Sequence, residues 1–338
     1  MKSESITALS STPDTVLWGY LAANVPPVLT IDSGASVKID TVSHQGLTTP
    51  QDPLTFFTSH GVNPDDVLSD AQNIYQHLKR PKGGGVHILT GPIYLQDAEP
   101  GDMLEVRILD IQFRVPYGVN NTGPGRGVLP DLLQTPTPKL LRFDFGRNVA
   151  LFSKEIAIPL RPFMGIMAVS PPENMGMVSS TPPGVWGGNM DLKALHKGAT
   201  LFLPVFNDGA QFFTGDGHGA QGDGEVDGGA IEVSLAPTLQ FILHKEKHIA
   251  SPMAETTTHF VAMGMHVDLN EANRLAVKSA VDFLVRTKHL TEADAYALAS
   301  LAIDFRVGEA VDIVNLVYAN IPKALFQNNP PYWGSEVN

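Results

Sequence analysis

Short runs in which apolar and polar residues alternate fill the chain from about residue 15 to 250: VLTID (28–32), SVKIDTVS (36–43), MLEVRILDIQF (103–113), IAIPL (156–160) and AIEVSLAPTLQFIL (230–243). A period of two sends successive side chains to opposite faces of an extended chain, so these runs predict β-strands. Between them stand DSGAS, EPGD, GVNNTGPGRG, PPENMG and TPPGVWGGN, whose Gly, Pro, Asn and Asp favour tight turns. Further on the period changes. In LNEANRLAVKSAVDFLVRT (269–287) and EADAYALASLAIDF (292–305) apolar residues recur three and four apart, which predicts two helices. Thr291 is placed to cap the second, with Asp294 three residues on and Leu290 as its hydrophobic staple. VDIVNLVYANIP (311–322) fits a strand or a helix. The expectation is an α+β fold, predominantly β in its first three-quarters, with a helical C-terminal part. We expect one compact unit over 1–338, a β-rich part (15–250) carrying the site, a helical part over 265–325, and a loop-rich stretch at 117–138.

Composition narrows the function. The chain has 338 residues, 43% hydrophobic and only 17% charged, enough apolar material for a large core. A net charge of −12 without runs of like charge disfavours nucleic acid and anionic membranes. The opening MKSESITALSSTPDT lacks an apolar signal region, and no stretch approaches the roughly 18–20 apolar residues of a membrane span, so a cytoplasmic protein is expected. There is no cysteine, which excludes thiolate nucleophiles, thiolate metal sites and amidases built on a Cys–Lys–Glu set.

The densest chemistry is in GDGHGAQGDGEVDGG (215–229), where Asp216, His218, Asp223, Glu225 and Asp227 stand among seven glycines. Glycine permits positive φ and close backbone approach, so such a loop can fold around a divalent cation while its carboxylates and histidine supply ligands. A solvated acidic turn is the plain alternative. An EF-hand fails because its twelfth position is Ser234. HKEKH (244–248) lacks the glutamate placement of a zincin and reads as an exposed hairpin tip; G-x-S-x-G and S-x-x-K motifs are absent. A second candidate is PPGVWGGNMD (182–191), in which Gly187 and Gly188 allow a sharp turn that presents Asn189 and Asp191. Glu99 and Asp102 in AEPGD read as stabilising acids of a Pro-Gly turn. His44, His60, His77 and His259 have no partner spacing and receive no role.

Several blocks, HILTGPIYLQDAEPGDMLEV (87–106), PFMGIMAVSP (162–171), PPGVWGGNMDLKAL (182–195) and LFLPVFNDGAQFFTGDGHGAQGDGEVDGGAIEVSL (201–235), resemble the acetamidase/formamidase family in order and spacing. HFVAMGMHVDLNEA (259–272) and residues 282–312 are similar to its C-terminal part. Asp97 and Gly219 stand where the family usually has glycine and alanine, and Val307-Gly308-Glu309 replaces a more polar pattern. The resemblance implies the family's β-rich fold, activity on short amides, a homo-oligomer, and zinc or calcium.

With no thiol and no serine motif, the expected nucleophile is water made reactive by a divalent ion, zinc first and calcium second. Asp216 and His218 are the expected ligands, completed by Asp191 and His87. Glu225 is the expected base for the water and acid for departing ammonia. Asn189 with the N–H groups of Gly187 and Gly188 would face the oxyanion, and Trp186 would wall a pocket for small acyl groups. The same residues would also serve a lactam or other C–N hydrolase, or a non-catalytic metal-stabilised binding protein.

Overall fold

The computed structural model describes residues 6–326. Its alternating runs pair into two large sheets. Across the first lie Thr7–Leu9, Ser36–Ile39, Leu235–His244, Met103–Phe113, Thr200–Pro204, Met253–Glu255, His259–His266, Asn315–Pro322 and Asp304–Glu309. Across the second lie Gly187–Asn189, Phe163–Ala168, Phe212–His218, Ile88–Leu95 and Val16–Trp18, with Leu29–Ile31 pairing in parallel to Ile88–Leu95. One core joins them: Leu104, Val106, Leu201 and Leu239 of the first sheet pack with Leu89, Ile93, Met164 and Ile166 of the second. Phe241 and Phe212 meet edge to face across it, with ring centroids 5.0 Å apart. The fold is therefore mostly β, with its long helices near the C-terminus, as the periodicities predict.

Those helices are Leu269–Lys288 and Glu292–Ala302. Ala272, Ala276 and Ala280 recur every four residues and face the first sheet, where a Cβ on Gly264 would collide with the Ala272 carbonyl and the Ala276 nitrogen. Small residues on both sides let helix and sheet approach closely. The Thr291 hydroxyl accepts from the Asp294 N–H at 3.1 Å, and Leu290 packs beside the helix, so the predicted cap forms.

Two expectations need correction. The ambiguous run 311–322 contains a strand, Asn315–Pro322, and with Asp304–Glu309 it extends the first sheet, so the C-terminal part is not only helical. Branched Val and Ile gain more from burial between helix and sheet than from a helix of their own. The stretch 117–138 is loop-rich as expected: residues 123–136 form neither strand nor helix, between Tyr117–Thr122 and Thr137–Asp144, which pair in a four-stranded sheet. His244 is no exposed tip: it is buried and bonds Glu105 at 2.6 Å. The AEPGD turn is held as expected, with Asp102 accepting from the Glu99 and Glu246 N–H groups.

Candidate active site

The glycine-rich segment is in fact two structures. Phe212–His218 is a central, wholly buried strand, and only the part after it is loop. Its glycines are set by close packing: a Cβ at Gly215 would strike the Ile88 carbonyl, and one at Gly217 the Val233 carbonyl, 2.5 Å away. With Gly215 and Gly217 on the crowded face, Asp216 and His218 share the other. Beneath them, Gly165 of the neighbouring strand is a cradle. A Cβ there would collide with Asp191 Oδ1, would stand 2.5 Å from Asp216 Oδ2, and would lie 2.9 Å from His218 Cε1.

A cavity of about 160 Å³ opens at this strand end, lined by His44, His87, Asn189, Asp191, Asp216, Glu225, Glu232 and Asp312 among others. On one side, Asp216 Oδ1 lies 3.7 Å from His44 Nδ1 and 3.9 Å from His87 Nε2, and His44 Nδ1 lies 3.9 Å from Glu232 Oε2. These separations exceed hydrogen bonds. His44 Nδ1, Asp216 Oδ1 and Glu232 Oε2 are buried without a hydrogen-bond partner. The outward nitrogens, by contrast, are tied: His87 Nδ1 to Ser180 Oγ at 2.9 Å and His44 Nε2 to the Gln45 amide at 2.9 Å. Two imidazoles fixed from behind, with free nitrogens converging on two carboxylates, form the arrangement that a divalent ion needs. Burial also holds the His87 pKa below its ordinary value against the pull of Asp216.

His218 is engaged differently. Its Nδ1 bonds Gln221 Oε1 at 3.0 Å, and its Nε2 lies 3.1 Å from Asp216 Oδ2 and 3.4 Å from Glu232 Oε1. Burial favours the neutral ring, but Glu232 and Asp216 outweigh it and hold the His218 pKa well above its usual value. Burial likewise opposes the charge on Asp216, and His87 and His218 overcome it, so Asp216 sits well below the usual carboxylate range. His218 thus stands as a buried cation behind Asp216 and Glu232.

The far side of the cavity carries the acids. Asp191 is pushed well above the usual carboxylate range by burial and by neighbouring Glu225; Glu225 is raised by burial and by Asp312, against the pull of His218. Burial raises Asp312 to about 6. Asp191, Asp216 and Glu225 all adopt positive φ, at 42°, 56° and 45°, a conformation that non-glycine residues seldom take and that clusters at functional sites. Asn189 Nδ2 donates to Asp312 Oδ2 at 2.7 Å, and the Gly187 N–H donates to the Gly184 carbonyl.

The expected residues thus divide. Asp191, Asp216, His87, Glu225 and Asn189 line one cavity and His218 packs behind Asp216, but Trp186, Gly187 and Gly188 do not line it. Trp186 is buried in the main core, with Gly184 and Gly188 leaving room for its ring. The Gly187 N–H expected at the oxyanion hole is spent on the Gly184 carbonyl, and one Asn189 N–H is directed to Asp312. Three lining residues lacked a sequence assignment: His44, passed over for want of partner spacing, Glu232 and Asp312. Glu232 left a signal, a lone carboxylate within the apolar run AIEVSL.

The acetamidase/formamidase family model matches residues 21–180 and 178–328. A putative formamidase of Schizosaccharomyces pombe is 26% identical over 273 residues, 64% of this chain and 61% of that protein; the chain therefore spans less than two thirds of that relative. A formamidase of Methylophilus methylotrophus is 25% identical over 307 residues, 68% of this chain and 74% of its own length. The crystal structure of an acetamidase from Bacillus halodurans superposes with a TM-score of 0.78 and 27% identity, covering 95% of this chain and 99% of that one. Among the described residues no helix is long and apolar enough to cross a membrane. With the match extending over most of its length, the chain belongs to the acetamidase/formamidase family.

Proposed function

We propose that this protein is an amidase that hydrolyses the C–N bond of small linear amides to carboxylate and ammonia, with a divalent ion at the cavity. The observation that carries the reading is the set of inward-facing, unshared lone pairs of His44, His87, Asp216 and Glu232 around a buried cavity in a member of this family. These four would hold the ion. Two nitrogens and two carboxylates suit zinc, whereas calcium prefers all-oxygen surroundings. When bound, zinc would polarise the amide carbonyl and lower the pKa of water at the site toward ~7.

The chain's own residues do the rest. His218 fixes Asp216 and Glu232 in place, and Gln221, which accepts from His218 and donates to the Asp191 carbonyl at 2.7 Å, ties the two sides together. Glu225, raised toward neutrality by its surroundings, takes a proton from the attacking water and delivers it to the nitrogen as the C–N bond breaks. This replaces the expected ligand pair Asp191 and His218 with His44 and Glu232 while keeping Asp216 and His87. Ammonia release from formamide and acetamide, before and after chelation and alongside elemental analysis, tests the reading. Chelation-sensitive release supports it, and release that survives complete metal removal refutes it.

A further inference from the structure

The two sides of the cavity differ in kind. Opposite the histidine side, the lining consists of Asn189, Asp191, Glu225 and Asp312. Asn189 is 1% exposed, and with its Nδ2 committed to Asp312 its Oδ1 is left buried without a partner. Asp191 Oδ1 is also buried and unpartnered, 3.6 Å from a His218 nitrogen already bonded to Gln221. Burying such acceptors unsatisfied is costly, so their convergence implies a donor that arrives with the ligand. Among the described residues no lysine or arginine fills that need, since Arg126, at the rim, is exposed and donates to the Gly228 carbonyl at 2.6 Å, while the His218 ring nitrogens are turned to Gln221, Asp216 and Glu232.

We propose that Asn189, Asp191, Glu225 and Asp312 form an oxygen-lined subsite that grips the N–H groups of the substrate's amide nitrogen and then the ammonium ion it becomes. This rests on the amidase reading above. In that reaction water forms the new C–O bond, the C–N bond breaks, and the nitrogen leaves with its bonding pair and takes up protons, so the group in the subsite passes from neutral N–H donor to cation. Carboxylates and an amide oxygen serve both states. Amides bearing N–H groups are therefore the substrate class, and amides with a fully alkylated nitrogen are refused. A site built around N–H donors discriminates strongly against analogues that lack them.

The test uses the full chain with the metal it carries. Melting temperature is measured in ammonium, methylammonium, sodium and tetramethylammonium chlorides at equal ionic strength, for the wild type, Asn189→Leu and Asp312→Asn. Ammonium and methylammonium should raise Tm by about 2 °C over sodium, tetramethylammonium should not, and both variants should lose the difference while keeping their metal content. Equal shifts for all four cations, shifts unchanged in both variants, or a second equivalent of divalent metal lost in Asp312→Asn would overturn the subsite. If neither variant folds, the wild-type cation series decides alone. An ammonium response without amide hydrolysis would leave the subsite standing and remove the amidase reading. Hydrolysis by a protein indifferent to ammonium, or equal kcat/KM for acetamide and N,N-dimethylacetamide, would do the reverse.

Discussion

The two walls of the cavity reach a similar depth by different constructions. His87 and Asp216 sit at or beside strands of the second sheet, which pair through main-chain hydrogen bonds; His44 and Glu232 lie in short connections beside them. Each imidazole is braced by an outward hydrogen bond, so its free nitrogen has a fixed direction. The opposite wall is assembled from the edge strand Gly187–Asn189 with the turn after it, the 219–231 loop and the connection between the last two strands, and Asp191 and Glu225, like Asp216, hold positive φ angles. A sheet-mounted wall suits a ligand set, where small displacements cost binding. A loop-mounted wall of oxygen atoms suits a group whose charge changes during reaction. The contrast teaches that the site is a junction of two surfaces, although the glycine-rich segment alone looks like a self-contained cation loop.

The sharpest way to break the comparison is to remove a donor from each wall. Asp216→Asn or His87→Ala should abolish metal retention and lower kcat/KM for acetamide about 10³-fold or more, read by elemental analysis and ammonia release. Glu225→Gln should retain the metal, lower kcat about 10²-fold or more with little change in KM, and flatten the acid limb of the pH–rate profile. If Glu225→Gln loses the metal instead, the division between the walls is wrong.

Smaller effects sharpen it. Gly165→Ala places a methyl group against Asp191, Asp216 and His218 together, and should destabilise the fold by about 1–3 kcal/mol while weakening metal retention, as measured by thermal unfolding. Glu309, fully buried below the acidic wall, is pushed up to about 8 by burial and by Asp312. Its folded pKa lies above its unfolded one, so its contribution to stability is complete below about pH 4.5 and is lost as pH rises through 8. Glu309→Gln should therefore gain stability over the wild type between pH 5 and 9, by on the order of 2 kcal/mol, measured by urea titration at each pH. Thr291→Ala, distant from both walls, should cost about 1 kcal/mol and leave activity unchanged.

Much of the architecture was legible because it follows from local periodicity. Alternation located the long strands 103–113 and 235–244, and three-four spacing located both C-terminal helices with their cap. Asp216, His218 and Glu225 were legible as a dense cluster, and Asp191 as the acid beside Gly-Gly. The same local reasoning mistook a buried strand for an open loop, because glycines imposed by close sheet packing look like glycines of a turn.

Most element types, the absence of thiol chemistry and the segments rich in carboxylate and histidine follow from the sequence alone, since each depends on composition or on neighbours a few positions away. Only the tertiary structure decided which of them meet. His44 lies 172 residues before Asp216, and Asp312 lies 123 after Asn189; both pairs meet because sheet pairing fixes positions that no spacing along the chain encodes. It also decided which atoms remain free. Asn189 gave one N–H to Asp312 and kept its Oδ1 free, and two carboxylates closed around His218 and raised its pKa, because a polar group's role is set by the partners left to it after folding.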